Sequence, residues 1–151
     1  MTKTLLKIKL LNIENNGYHL CVKAKINGKI ANLLVDTGAS RTVFDVNRME
    51  KFVKIANLQE NEQLSTGLGT TSMKSHITEL KKIQFEDLII KNYPAVFLDL
   101  SHVNESYTRV GLAAIDGVVG SDLLHEYKAI VNYEKLEISL KHKKEKKNGS
   151  N

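Results

Sequence analysis

The chain has 151 residues, the length of one ordinary domain, and its 42% apolar and 26% charged content is near the average for a globular protein. One proline, nine glycines and no tryptophan exclude the collagen-like and proline-rich linker classes. The single cysteine, Cys21, excludes an intramolecular disulfide framework and a cysteine-based zinc finger. No stretch approaches the roughly 18 apolar residues that a membrane-spanning helix needs.

The net charge of +5 is concentrated near the carboxyl end, where residues 141–147 carry five lysines and one glutamate. We therefore predict a folded domain over residues 1–140 and a disordered basic tail over residues 141–151. The tail could touch nucleic acid or an anionic membrane, but no aromatic residues interleave with its lysines, which favours a solvated tail. The amino-terminal segment does not read as a signal peptide, because Lys7 and Lys9 interrupt its apolar residues, so we expect a cytoplasmic protein.

The first third of the chain is predicted to form strands. Apolar and polar residues alternate over residues 6–10 and 18–26, which is the period of a strand with one buried face. Asn27-Gly28 predicts a tight hairpin, because both residues tolerate positive φ. A third strand is expected at about residues 29–35.

The remaining elements are predicted to be short. We expect a short helix or irregular turn within residues 45–58 and a short helix beginning at residues 120–124. Residues 101–111 are predicted to be a polar connection. Strands are expected near residues 72–85, 88–90, 95–98, 129–131 and 136–140. Many short strands without β-α-β alternation indicate an all-β sandwich or barrel.

The first motif whose residues could take part in catalysis is Leu-Leu-Val-Asp-Thr-Gly-Ala-Ser at residues 33–40. An apolar strand here delivers the Asp36 carboxylate into a tight turn, and Gly38 allows close backbone approach because it has no Cβ. The hydroxyls of Thr37 and Ser40 could orient that carboxylate. Taken alone, the motif favours the commoner reading, an ordinary strand that ends in an Asp-Thr-Gly turn.

A second motif follows about 80 residues later, at residues 115–124 (IDGVVGSDLL). It places Val118, Val119 and Gly120 before a short amphipathic helix in which Asp122 favours the first turn. In this order, the two motifs resemble those of the retropepsin-like aspartic proteases, and the resemblance covers roughly residues 18–140.

The resemblance implies a single-lobe, closed all-β barrel or sandwich with one short helix. In that family Asp36 would be the catalytic carboxylate, supported by the turn residues Thr37, Gly38, Ala39 and Ser40. The second motif would be structural, through Val118, Val119, Gly120 and Asp122, with Gly120 allowing close packing against the active-site strands. A glycine-rich stretch lies where the family places its flap (Gly67, Leu68 and Gly69), although an ordinary hairpin tip explains it equally well. No metal and no organic cofactor is implied.

The chemistry of the family needs two carboxylates that share one proton, whereas this chain carries the catalytic motif once. The other Asp-Gly pair, Asp116-Gly117, lacks the intervening hydroxyl residue, so we read it as structural. The resemblance therefore implies a homodimer in which each protomer contributes Asp36, acting as an endopeptidase on an extended peptide or protein.

Three further points stay open at the level of sequence. Viral relatives pair an acidic residue after the catalytic turn with an arginine of the second motif, and here Arg41 and Asp122 could form the reversed pair. The two terminal segments, residues 5–11 and 136–140, could interleave between protomers or pair within one chain.

The alternative function is a catalytically silent module of this fold that binds peptide or protein. A further rival is a structural or regulatory protein that recruits nucleic acid through the tail.

Overall fold

The computed structural model describes residues 1–13, 17–54, 59–60 and 75–144. Its helices are a 3-10 helix (Val46–Lys51), α1 (Ser101–Arg109) and α2 (Ser121–Glu126). The strands are β1 (Thr2–Lys7), β2 (Lys9–Ile13), β3 (Gly17–Ile26), β4 (Lys29–Val35), β5 (Val43–Asp45), β6 (Gln59–Glu60), β7 (His76–Phe85), β8 (Leu88–Leu98), β9 (Gly117–Val119), β10 (Ile130–Asn132) and β11 (Glu137–His142).

Strands β3 and β4 form the hairpin that the alternating pattern predicts. They pair antiparallel from Leu20 opposite Val35 to Ile26 opposite Lys29. The turn residues Asn27 and Gly28 have φ values of 49° and 82°, as a two-residue hairpin loop of this kind requires.

The main sheet closes into a barrel of six strands in the order β3-β4-β9-β5-β8-β7. Strand β7 pairs back with β3 at Ile26 and Ile83, which closes the barrel. Apolar side chains from all around the barrel fill its interior and are almost fully shielded from water, among them Ile26, Leu33, Phe44, Leu80, Ile83 and Phe97. Burial of these side chains provides the main driving force for this fold. The predicted all-β class is confirmed.

Strand β9 lies between two strands that follow one another in the chain, β4 and β5. It runs parallel to β4, with Val35 opposite Val119, and antiparallel to β5, with Val43 opposite Val118. The loop of residues 36–42, which joins β4 to β5, must therefore pass the carboxyl end of β9. This insertion brings the two sequence motifs side by side.

The terminal strands pair within one chain. Strands β1 and β11 are antiparallel from Thr2 opposite His142 to Lys7 opposite Glu137, and β10 flanks β11 on its other side. The hydroxyl of Thr4 lies 2.7 Å from Nε2 of His142, and both residues are buried. The sequence left open whether the terminal segments pair within one chain or interleave between protomers, and in the structure they pair within the chain. Strand β11 also continues to His142, two residues beyond residue 140, where the folded domain was predicted to end.

Helix α1 corrects the prediction of a polar connection over residues 101–111. Its inward face carries two apolar side chains one turn apart, Val103 and Tyr107, and the rest of the segment is largely polar. So weak a periodicity does not indicate a helix, and this one is held mainly by tertiary contacts. The 3-10 helix lies within residues 45–58, where a short helix or irregular turn was expected, and α2 begins where a short helix was predicted, so α1 is the helix that the sequence pattern missed.

Helix α1 packs on the outside of the barrel and builds a second core there, which we call the outer cluster (Leu11, Cys21, Leu100, Tyr107, Ile115 and Val118). Among the described residues, no helix is long and apolar enough to cross a membrane.

Candidate active site

Asp36 directly follows β4 and begins a tight turn. Its backbone N–H donates to the carbonyl of Val119 (3.0 Å), and its own carbonyl accepts from the N–H of Ala39 (3.1 Å). The N–H of Gly38 donates to Oδ1 of the Asp36 carboxylate over 2.9 Å. The carboxylate is therefore oriented by backbone groups, while the residue itself remains exposed to solvent.

The hydroxyls of this turn do not hold the carboxylate. Thr37 and Ser40 are exposed, and within the described chain neither donates a hydrogen bond to Asp36. Ala39 is half-buried, and its carbonyl faces the second motif. Orientation of the carboxylate in the single chain thus depends on the amide of Gly38.

Gly120 is the point of closest contact between the two motifs. The N–H of Ser121 donates to the carbonyl of Ala39 over 2.7 Å. A Cβ at Gly120 would lie 2.7 Å from that carbonyl oxygen and 2.8 Å from the carbonyl carbon and oxygen of Arg41. These are backbone atoms and cannot rotate away, so a residue without a side chain is needed here.

The side chains of the second motif point in different directions. Val119 packs in the barrel interior and Val118 in the outer cluster, as alternation along β9 requires. Asp122, in the first turn of α2, reaches back to the loop that carries Asp36.

Thr42, at the end of that loop, is the partner of Asp122. Its N–H lies 2.9 and 3.0 Å from the two carboxylate oxygens, and its hydroxyl donates to Oδ1 over 2.7 Å. The same hydroxyl accepts from the N–H of Gly120 (3.0 Å). Thr42 is 1% exposed, so its polar groups need partners within the protein. This network fixes the loop of residues 36–42 against the second motif.

Among the described residues Arg41 forms no ion pair with Asp122, an alternative that the sequence had left open. Arg41 is exposed, and neither of the ion pairs seen among the described residues includes it. The physical reason is a difference in free energy. Leaving the buried N–H and hydroxyl of Thr42 without an acceptor costs more than an ion pair of the exposed Arg41 guanidinium would contribute. The sequence offered no separate signal for Thr42, whose role depends on the approach of α2.

Tyr93 of β8 lies close to this network. Burial, followed by the negative charge of Asp122, raises the pKa of its phenol to about 12, although a hydrogen bond with Thr42 opposes the change. The phenol therefore stays neutral at physiological pH and can serve as a donor behind the loop.

Asp116, the other aspartate that precedes a glycine in the second motif, makes structural contacts. Its side chain is fully buried, with Arg48 Nε 2.7 Å from Oδ1, Lys51 Nζ 3.4 Å from Oδ2, and the N–H of Asn32 2.8 Å from Oδ2. It precedes β9, whereas Asp36 lies beside the carboxyl end of that strand, about 10 Å away along the sheet. Asp116 thus joins the 3-10 helix to the barrel.

The predicted flap, Gly67, Leu68 and Gly69, lies outside the described residues. In the part of the chain that the structure does describe, no group of three or more His, Cys, Asp or Glu side chains is arranged to hold a metal ion.

Comparison with known proteins relates the chain to proteases of one kind. The family model described as "Aspartyl protease" matches residues 22–123, which include both motifs. Among curated proteins, no sequence match is found.

Three solved structures share the fold. A retropepsin-like aspartic protease from Rickettsia conorii is 18% identical, with a TM-score of 0.55, covering 92% of this chain and 90% of that one. The retroviral protease-like domain of Ddi1 from Leishmania major is 15% identical, with a TM-score of 0.52 and coverages of 77% and 82%. The EIAV protease, complexed with the inhibitor HBY-793, is 18% identical, with a TM-score of 0.52 and coverages of 80% and 99%.

At these sequence identities the similarity to solved structures shows the fold alone. The family model shows the family, because it spans more than half of the chain. Together with the barrel and the packing of Gly120 against the backbone of Ala39 and Arg41, which follow Asp36, they lead to one conclusion: the chain belongs to the retropepsin-like aspartyl protease family.

Proposed function

We propose that the protein is an aspartic endopeptidase that works as a homodimer, with one Asp36 from each protomer. The observation that carries the proposal is the Asp36 carboxylate itself, exposed at the surface on a turn fixed by bonds from Gly38 and β9. A two-fold axis close to this turn would bring two copies of it together.

The chemistry then follows from two carboxylates in one site. Two negative charges about 3 Å apart cannot both persist, so the pair holds a single proton. The ionised carboxylate accepts a proton from water as the water oxygen bonds to the peptide carbonyl carbon, while the protonated one donates to the carbonyl oxygen. Breakdown of this tetrahedral species returns a proton to the leaving nitrogen and releases an acid and an amine.

The substrate in this proposal is an extended peptide or protein segment, held by main-chain hydrogen bonds in the manner of an added strand. No metal or organic cofactor takes part in the proposed reaction. A cytoplasmic location is part of the proposal and agrees with the single, unpaired and buried Cys21.

The test is hydrolysis of an unfolded protein between about pH 4 and pH 7, at several concentrations of enzyme. We expect activity that rises more steeply than linearly with enzyme concentration and that is lost in Asp36→Asn, since this change removes the charge and keeps the shape. Asp87→Asn is the matched control, because Asp87 is an exposed carboxylate in the distant β7–β8 turn.

Cleavage by Asp36→Asn at the wild-type rate would show that the assignment of Asp36 is wrong. Absence of cleavage in every variant, combined with binding of peptide, would instead favour the silent binding module.

A further inference from the structure

A cavity that the proposed reaction does not use lies where β1 passes into β2. Its volume is about 310 Å³, at the lower end of the range of about 300–1,000 Å³ that is typical of small-molecule sites. Residues of β1, β2, β3, β4 and the β7–β8 turn line it. Three of its apolar lining residues, Leu6, Ile8 and Val22, are buried, so a ligand would meet mainly the polar part of the wall.

The exposed part of the wall is charged, and we call this site the lysine cavity. Its exposed residues are Lys7, Lys9, Lys23 and Glu86. Neither of the two ion pairs seen among the described residues includes any of them. Because three positive charges stand against one negative charge at neutral pH, the wall has a surplus of two positive charges.

The pairing of β2 with β3 keeps two of the lysines close together. Lys9 lies opposite Cys21, and Lys23 follows Cys21 by two residues on the same face of β3. Such diagonal neighbours are about 7–8 Å apart, and like charges at this separation repel each other. Burial raises the pKa of Cys21 to about 11, and the nearby positive charge of Lys9 opposes that rise. An anion bound between the lysines would relieve their repulsion.

An adjoining cavity of about 320 Å³ limits the size of the ligand. It shares Lys23 and Glu86 with the lysine cavity. Its other charged residues are Lys25 and Asp87, so its two positive charges are balanced by two negative ones. No aromatic ring among the described residues lines either cavity, and a nucleic-acid base therefore has no ring to stack on. These features favour a compact anion over a nucleic-acid strand.

We propose that the lysine cavity binds a phosphate-bearing small molecule that carries at least two negative charges. Lysine ammonium groups form charge-assisted hydrogen bonds with phosphate oxygens, and a ligand with a single charge would leave part of the surplus uncompensated. The site is separate from the proposed catalytic residue. Lys23 lies opposite Asn32 of β4, which precedes Asp36 by four residues or about 13 Å along the strand. The binding is therefore independent of the proposed hydrolysis.

The test is calorimetric titration of the full chain with inorganic pyrophosphate at neutral pH. The double variant Lys9→Gln/Lys23→Gln should bind about 10-fold more weakly or less, because hydrogen bonds to charged groups are lost. Glu86→Gln should bind more tightly than the wild type, because it removes the opposing charge. Shifts of opposite sign cannot both come from misfolding. Lys9→Arg/Lys23→Arg, which keeps both charges, should retain most of the affinity.

The charge-matched control is Lys143→Gln/Lys144→Gln, which removes two exposed lysines beyond β11 and outside the lysine cavity. It should keep the wild-type dissociation constant. Loss of binding in this control, and not in Lys9→Gln/Lys23→Gln, would place the anion at the basic tail and overturn the proposal. The absence of pyrophosphate binding to the wild type would overturn it as well. Tighter binding of a single-stranded oligonucleotide than of pyrophosphate, lost in Lys9→Gln/Lys23→Gln, would overturn the assignment of a compact ligand.

Discussion

Replacing Gly120 by alanine perturbs the contact that joins the two motifs. The added Cβ would lie 2.7–2.8 Å from three backbone atoms of Ala39 and Arg41, well inside an ordinary contact of 3.4 Å or more. Those atoms are held by the bond from Ser121 to Ala39 and by the network around Thr42. The overlap is relieved only if the catalytic loop moves by several tenths of an ångström.

Overpacking of this kind costs about 1–3 kcal/mol. Gly120 has φ −100°, which alanine adopts without strain, so the clash is the main effect. For a protein of this size each kcal/mol lowers Tm by about 2–4 °C, which gives an expected loss of roughly 2–12 °C. Displacement of the loop should reduce proteolytic activity further, on the order of 100-fold, because a small misplacement of a catalytic group is costly.

The assay is thermal unfolding by circular dichroism together with the rate of peptide hydrolysis. Gly17→Ala is the control, since a Cβ there would meet its nearest atom, the carbonyl oxygen of Ile13, at 3.4 Å. Equal Tm values and equal rates for the two variants would refute the claim that Gly120 is required by close packing.

Two other predictions concern the supporting structure. Asp122→Ala should destabilise the fold by about 1–3 kcal/mol in urea unfolding, because the buried N–H and hydroxyl of Thr42 lose their acceptor. The control Glu126→Ala, which removes an exposed acid of the same helix, should leave the free energy of unfolding nearly unchanged. Equal losses of unfolding free energy in the two variants would contradict the role of Thr42. Burial raises the pKa of Cys21 from 9.0 to about 11, so iodoacetamide at pH 8 should react about 100-fold more slowly with the folded than with the urea-unfolded chain. Equal alkylation rates for the two states would contradict the burial of this thiol. Because the folded state keeps the thiol proton to higher pH than the unfolded state, the contribution of Cys21 to stability is present below pH 9 and declines as the pH rises from 9 towards 11.

The elements that sequence could predict are those specified locally. The β3–β4 hairpin follows from strict alternation and from Asn27-Gly28, and it appears at the expected residues. The turn at Asp36 is likewise specified by nearby residues, because the amide of Gly38 and the carboxylate of Asp36 are two positions apart.

Elements that depend on distant partners could not be predicted in this way. Helix α1 has a weak apolar pattern and relies on Asn104 and Asp45, which are 59 residues apart. Charge alone left a pairing of Arg41 with Asp122 open, whereas the outcome depended on which neighbouring residue was buried. The insertion of β9 between β4 and β5 arises from a pairing of strands more than 80 residues apart, which no local pattern encodes.

The central claim is that one Asp36 from each of two protomers forms the active site, and subunit mixing tests it most directly. Wild-type protein is held at a concentration where its specific activity no longer rises, and an equal amount of Asp36→Asn is added. Random association would then place about half of the wild-type protomers in mixed dimers with one carboxylate, so the hydrolysis rate should fall to about half. Asp87→Asn in place of Asp36→Asn should cause no loss. An unchanged rate after addition of Asp36→Asn would contradict the shared site and would mean that each chain acts alone.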